Sequence, residues 1–487
     1  MGLVAGVDSS TQSTKVVLHD ADDFTVVGRG AAPHPSTFPP VSEQDPERWW
    51  TAMGTALATA LTDAGAAARD VRSISVAAQC HGLVALDRRG AVVRPAKLWN
   101  DTTSSPQMRR LLERMPAAEW ARRTGSVPTA AFTVSKLAWL QEREPENFAR
   151  TATVLLPHDW LTFRLTGETV TDRSEASGTG YFDATRNTYD HELLHLVAPD
   201  VDWAPMLPSV LGPSTAAGTV SGVAADALGL RRDTVVGPGA GDQHASALGL
   251  GTRPGDVVYV LGTSGVVFAT SATATHDPTG TVDGVADAAG GYLPLVSTLN
   301  AAKVTDTFAR LLAVDHDELA RLALAAEPDG TPVLVAFLDG ERKPDLPAAT
   351  GTLTGITTAT TREQVARAAV DGVLFGLLRG ASALAGAGAN TTGRVIVTGG
   401  GARSPAYRQL LADGTGATVH LSTSSEAVAD GAALQAAACL GGDDVREVRD
   451  ALAAPLIPDA RPRADPAAAE AYHRYLTAAA WRGGDRP

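Results

Sequence analysis

Leu3-Val4-Ala5-Gly6-Val7-Asp8-Ser9-Ser10-Thr11-Gln12-Ser13-Thr14-Lys15-Val16-Val17-Leu18-His19 opens the chain as an apolar run, a turn of small hydroxylated residues and a second apolar run. Short apolar runs bounded by Asp, Ser and Thr read as buried strands, so the segment predicts a hairpin. The device recurs at Val257–Leu261, Gly262-Thr263-Ser264-Gly265 and Val266–Thr270. One such turn is explained by conformational preference alone. Two, each opening a separate half of the sequence, suggest a duplicated fold with a pair of phosphate grips facing each other across a cleft.

Outward from the first hairpin, Phe24–Gly28 continues the meander. Asp45-Pro46-Glu47 then supplies an N-cap, a proline at the first helical position and an acid in the first turn, which start a helix running towards Ala68. Strands follow at Ser73–Ala77 and Leu83–Asp87, separated by the polar loop Gln79-Cys80-His81-Gly82. Alternation of this kind argues for α/β layers. From about Thr102 to Pro213 the pattern is irregular, as expected of insertions decorating a domain. Order returns with Val235-Val236-Gly237, Gly239-Ala240-Gly241-Asp242 and a helix over Gln243–Leu250. In the second half, Val370, Val373, Leu374, Leu377 and Leu378 share one helical face and read as core. Strand Arg394–Thr398, the run Gly399-Gly400-Gly401 and helices near Pro405–Thr415 and Glu426–Ala438 come next. After Ala453 the prolines predict a linker to a final helix around Ala468–Ala480.

Composition narrows the function. The chain has 487 residues, 44% hydrophobic and 20% charged, so it is expected to fold into more than one core. A net charge of -13 without any Lys/Arg-rich tract argues against nucleic acid or an anionic membrane as partner. Two cysteines, Cys80 and Cys439, make no disulfide framework and no CxxC site, which predicts reduced thiols in a cytoplasm. The opening residues lack the basic region of a signal peptide, and the window Ala368–Ala389 carries Asp371 and Arg379, so a soluble, unexported protein is expected.

Three places carry candidate chemistry. Asp8 ends a strand at a hydroxyl-rich turn with Lys15 opening the next strand; such a carboxylate can hold hydrated Mg²⁺, or bond its own backbone in an Asx turn. Gly399-Gly400-Gly401 lets a planar base or a phosphate approach the backbone, or merely makes a tight connection. Asp242, between glycines and a helix, is placed to accept a proton from a substrate hydroxyl, or to serve as an N-cap. Cys80 and His81, adjacent in an extended segment, face opposite ways and make no nucleophile–base pair, whereas His81 suits hydrogen bonding to a polyol. Trp99-Asn100-Asp101 reads as a sugar-stacking lip or as core packing.

Together these segments resemble the FGGY family of carbohydrate kinases. The likeness extends through Ser42-Glu43-Gln44-Asp45-Pro46, Leu155-Leu156-Pro157-His158-Asp159, Gly351-Thr352-Leu353-Thr354-Gly355-Ile356 and Thr398-Gly399-Gly400-Gly401-Ala402-Arg403-Ser404. The resemblance implies two actin-like, ribonuclease-H-like α/β domains with a cleft between them, over residues 1–246 and 247–487, and allows the last helix to pack back on the first domain. It implies ATP and Mg²⁺ as cofactors, a small sugar as acceptor and a homodimer as the family's expected assembly. Asp8 would position Mg²⁺, Thr11 and Lys15 would lie near the transferred phosphate, and Gly262, Thr263 and Ser264 would grip it. Gly400, Gly401, Ala402 and Ser404 would border the adenosine. Asp242 would be the catalytic base, and Gln79, Cys80, His81, Trp99, Asn100, Asp101 and Gln243 would line the sugar pocket with it. The expected reaction is ATP-dependent phosphorylation of D-xylulose. A kinase for ribulose, gluconate or glycerol, an actin-like ATPase and a non-catalytic sugar sensor are the alternatives. Ser10, Cys80 and Gln243 depart from residues often found in the family, the last two within the expected sugar pocket.

Overall fold

The computed structural model describes residues 2–327, 329–346, 348–463 and 466–480. The chain divides into two units: Met1–Thr252 with Ala272–Leu293 and Ser424–Pro455, and Arg253–Ser271 with Pro294–Thr423 and Leu456–Pro487. Both carry the hairpin read from the sequence, each with a parallel strand beside it.

In the first unit, strand Leu3–Ser9 is buried along its whole length, as a run without a polar face requires. It pairs antiparallel with Ser13–Asp20, placing Asp8 opposite Lys15. On its other side it runs parallel to Val71–Ala78, which in turn pairs with Val235–Val236 and Ala240–Gly241, both parallel. Asp8 lies beside Ala77, and Ala77 beside Ala240. Three parallel strands therefore end side by side, at Ser9, Ala78 and Gly241, and the loops leaving them hold the candidate residues. Ligands of open α/β sheets bind outside such carboxyl ends. Helix Pro46–Ala64 starts as expected, Asp45 capping it through the Glu47 amide, and stops at Gly65 in the left-handed conformation. The irregular middle is largely helical with a core of its own around Trp120, Phe132, Leu137 and Trp203.

Helix Ala427–Gly441 completes this unit although it comes from far along the chain. It crosses the short helix Asp242–Gly249 almost backbone to backbone. A Cβ on Gly431 would lie 1.9 Å from the Ala245 carbonyl oxygen, and one on Gly249 would lie 2.0 Å from that of Ala427. Gly6 meets the Ala429 carbonyl as closely, at 1.9 Å. Only hydrogen fits at these points, and small residues such as Ala77, Ala240 and Ala432 fill the layer. Gln435 adds polar ties, donating to the Gly239 carbonyl at 3.1 Å and accepting from the Ser75 hydroxyl at 3.2 Å. The Asp242 helix is thus fixed at its back by backbone contact rather than by deformable side chains.

In the second unit, Val257–Leu261 and Gly265–Ala269 form the hairpin, and Val395–Thr398 and Val419–Ser422 extend the sheet in parallel. Helix Arg362–Gly386 buries Val370, Val373, Leu374, Leu377 and Leu378, as its spacing predicts. By length and composition it could cross a membrane, but 67% of its most apolar window is buried inside the protein, and the buried pair Arg367–Asp371 lies on it at 2.8 Å. A core helix meets the same test of length. The linker expected after Ala453 is wrong in part: Leu456–Ala460 is a strand, added antiparallel to Val419–Ser422 at the edge of the sheet. An edge strand has one unpaired side, so Pro458 loses nothing there by lacking an N–H. The final helix, Pro466–Ala480, packs on Arg362–Gly386, with Tyr472 and Tyr475 5.4 and 5.5 Å from the Phe375 ring.

Candidate active site

Asp8 is 6% exposed, and its Oδ1 has no hydrogen-bond partner. Burial and the nearby Asp242 carboxylate push its carboxyl up to about 7, against the pull of Lys15. Lys15 Nζ is 2.7 Å from Glu426 Oε2, the residue that precedes helix Ala427–Gly441. Burial opposes the charge on Lys15, but the bond and charge of Glu426 outweigh it and raise the ammonium above its ordinary value.

Asp242 is the first residue of its helix, not the N-cap, which is Gly241. Its Oδ1 accepts from the Gln243 amide at 2.7 Å and from Cys80 Sγ at 3.4 Å. Burial raises its carboxyl, and these two donors partly offset that. The result is a half-buried carboxylate whose position is set by the backbone of its own helix start. The Cys80 thiol is itself pushed well up by burial and by Glu175 and Asp242, so it donates hydrogen bonds and is no nucleophile.

Around this pair runs a polar network. Trp99 Nε1 donates to Thr11 Oγ1 at 3.0 Å, and Thr11 Oγ1 donates to Gln79 Oε1 at 3.0 Å. Gln44 ties the same loop to helix Pro46–Ala64, donating to the Thr11 carbonyl at 3.0 Å and accepting from Trp49 at 2.8 Å. Asp101 is engaged elsewhere, accepting from the Ser42 amide and pairing with buried Lys97 at 3.0 Å, so it shapes the loop that presents Trp99 and Asn100. His81 adopts a left-handed φ of 64, stacks on Phe132 and donates its amide to Glu175 Oε2 at 3.3 Å. The Cys80–His81 step is therefore a turn rather than the extended segment expected.

Close to the thiol lie further buried titratable groups. Glu175 is fully buried on a short helix capped by Asp172, and burial pushes its carboxyl up to about 8. His158 sits 3.1 Å from Asp159 and 3.3 Å from Asp172; burial opposes its charge, but the two acids prevail and lift it to about 9. His244, by contrast, is pushed down to about 4 by burial and stays neutral.

In the second unit, Thr263 is exposed on the hairpin turn, with Gly262 and Ser264 half-buried beside it. Gly400, Gly401 and Ser404 line a cavity of about 360 Å³ with Thr305, His316 and Tyr407. Ala402 is buried and is not part of that lining.

Comparison with known proteins decides the family. The model of the N-terminal domain of the FGGY family of carbohydrate kinases matches residues 3–249, and the model of its C-terminal domain matches residues 257–440. The chain belongs to the FGGY family of carbohydrate kinases. Among FGGY relatives, the xylulose kinase of Streptomyces coelicolor is 46% identical over 92% of this chain and 90% of its own. That of Streptomyces rubiginosus is 45% identical over 91% and 89%. The crystal structure of the Bifidobacterium adolescentis xylulose kinase superposes with a TM-score of 0.84 at 38% identity, covering 98% of this chain and 99% of that one.

As a member of the FGGY family the protein is a kinase with two sheet-containing α/β domains, and ATP is its co-substrate. Within the first unit of this FGGY chain, hydrogen bonds join Thr11, Gln79 and Trp99 in one group and Cys80, Asp242 and Gln243 in another, and the Asp242 charge acts on Asp8. Reading the sequence missed Gln44, Glu175, His244 and Glu426 there, and Thr305, His316 and Tyr407 around the cavity. The Gln44 position alone carried a signal, in the Ser42–Pro46 likeness.

Proposed function

We propose that the protein transfers the γ-phosphoryl group of ATP to a hydroxyl of D-xylulose, yielding ADP and D-xylulose 5-phosphate. The observation that carries the reading is Asp242: a half-buried carboxylate at the carboxyl ends of three parallel strands, near the polar residues Gln79, Cys80 and Gln243. The xylulose kinases at 45 and 46% identity support the acceptor. Location in the cytoplasm belongs to the same reading.

Phosphoryl transfer leaves the protein little covalent work; positioning and charge neutralisation dominate. Asp242 orients the acceptor hydroxyl and takes its proton as the new P–O bond forms. Gln79 is held by Thr11 and Gln44 so that it presents a fixed edge to sugar oxygens, and Trp99 offers a ring face. Thr11 and Lys15 lie near the transferred phosphate in this reading, and Gly262, Thr263 and Ser264 contact it from their own turn. Gly400, Gly401 and Ser404 border the nucleoside in the cavity. Asp8 suits a divalent cation, because its buried Oδ1 lacks a partner and its charge is opposed by burial and by Asp242. Bound there, Mg²⁺ would offset the charge on the phosphoryl oxygens.

Initial rates of ADP formation with D-xylulose, ribulose, gluconate and glycerol test the acceptor. D-xylulose is expected to give the highest kcat/KM, and a higher value for any other would replace it. Trp99→Phe removes the bond to Thr11, and the lost interaction of about 1 kcal/mol should raise the sugar KM several-fold with kcat little changed.

Asp8 also predicts a pH effect. Its carboxyl moves from 3.8 to about 7 on folding, so the folded chain holds a proton that the unfolded chain releases. That contribution is complete below 3.8 and is lost as pH rises through about 7. Thermal melts of metal-free protein should therefore show Asp8→Asn gaining on the parent between pH 5 and pH 8, with Mg²⁺ restoring the parent alone. Parallel melting curves for both proteins would contradict the assignment.

A further inference from the structure

We propose that Cys80, Glu175 and His244 form a capture site for one thiophilic divalent cation, Zn²⁺ by the chemistry of its donors, whose occupancy blocks the acceptor pocket. The Sγ, carboxylate oxygen and ring nitrogen all lie within 4.8 Å of one another. They converge on the open side of Gly241: a Cβ built there would be 2.5 Å from His244 Nδ1 and 2.6 Å from both Cys80 Sγ and Glu175 Oε1. Any side chain at this position would fill the space the three donors share.

The donor set selects the ion. Mg²⁺ prefers oxygen ligands in an octahedron, whereas one thiolate, one imidazole and one carboxylate are the mixture Zn²⁺ takes in a tetrahedron with its fourth position open. His244 is the independent sign of a missing ligand. It is 2% exposed, and neither ring nitrogen has a hydrogen-bond partner. Buried polar groups are rarely left so, and the phosphoryl-transfer reading gives this ring nothing to do. Its neutral state leaves a lone pair available. Outer groups steady the donors: Asp172 caps the Glu175 helix through the Ser174 and Glu175 amides and is paired with His158.

Capture would be felt at Asp242. Coordination converts the Cys80 thiol to thiolate and the Glu175 carboxyl to carboxylate, both protons going to solvent, and this removes the donor now 3.4 Å from Asp242 Oδ1. It also sets a metal ion and its bound water where, on the proposed function, the acceptor sugar belongs. This last step alone rests on that reading.

Co²⁺ added alone to the metal-free full-length protein tests the site by a signal independent of turnover. One Co²⁺ per chain is expected, with a thiolate-to-cobalt charge-transfer band that Zn²⁺ bleaches. Cys80→Ser should abolish the band and Cys439→Ser should leave it. His244→Ala should weaken binding by at least the roughly 10–100-fold typical of losing even an outer-shell partner. Far-UV circular dichroism and melting curves verify that each variant folds. Absence of the band in the parent, or its survival in Cys80→Ser, overturns the proposal. A second arm measures Zn²⁺ inhibition of sugar phosphorylation, expected to raise the sugar KM and to reverse with chelator. If the band behaves as stated while Zn²⁺ leaves the sugar KM unchanged, the metal site stands, and it is the placement of the sugar beside Asp242 and the block on it that fall.

Discussion

Asp242→Asn is expected to lower kcat for sugar phosphorylation by about 10²–10⁴-fold, the range a positioned general base supplies. The change is nearly isosteric. An Asn Oδ1 can still accept from the Gln243 amide, which the carboxylate meets at 2.7 Å, so the helix start is preserved. What disappears is the capacity to take the hydroxyl proton. Nucleotide binding should survive, because the cavity lined by Gly400, Gly401 and Ser404 belongs to the other unit. Single-turnover rates with saturating sugar, together with ATP affinity from calorimetry, separate the two effects. A variant working within a few-fold of the parent would take Asp242 out of its assigned role. One that lost ATP affinity as well would point to a folding defect instead.

Gly431→Val should be the most damaging single change to stability. Its Cβ would stand 1.9 Å from the Ala245 carbonyl oxygen and 2.7 Å from the carbon of the same group, so no rotamer relieves it. Overpacking of deformable cores costs about 1–3 kcal/mol. Here the obstacle is backbone, and the helices must separate, which puts the expected cost at or above the top of that range. Separation would also shift the helix that begins with Asp242, so residual folded protein should be slow. Gly386→Ala is the control: its Cβ meets no atom, and the parent melting temperature should be kept or slightly exceeded. Equal melting temperatures for Gly431→Val and the parent would show that the crossing is not as close as described.

Much of this was legible in the residue pattern. The two hairpins, helix Pro46–Ala64 with its Asp45 cap, the core face of helix Arg362–Gly386 and the strand-to-helix step at Asp242 each follow from short-range rules of periodicity and capping. Other features depend on distant partners and leave no local trace. Glu175 looks like a surface acid in a serine-rich stretch, and only packing against Cys80, His158 and Asp172 makes it a buried one. His244 follows Asp242 on the same helix and is hidden by the elements around it. Leu456–Ala460 was masked by its prolines, which an edge strand tolerates. The Gly431–Gly249 crossing joins positions so far apart in sequence that neither glycine announces the other.

Because the first unit takes residues Ser424–Pro455 as part of its body, one face of its central strand cannot be covered while the ribosome is still making the second unit. Helix Pro46–Ala64 follows closely in the chain and covers the Leu3, Ala5 and Val7 face of the strand, but the face of Val4 and Gly6 waits until helix Ala427–Gly441 has been synthesised. The nascent protein is therefore exposed to chaperones or to aggregation through most of translation. A release of the polypeptide before that helix emerges should yield a chain that is degraded rather than one that is partly active.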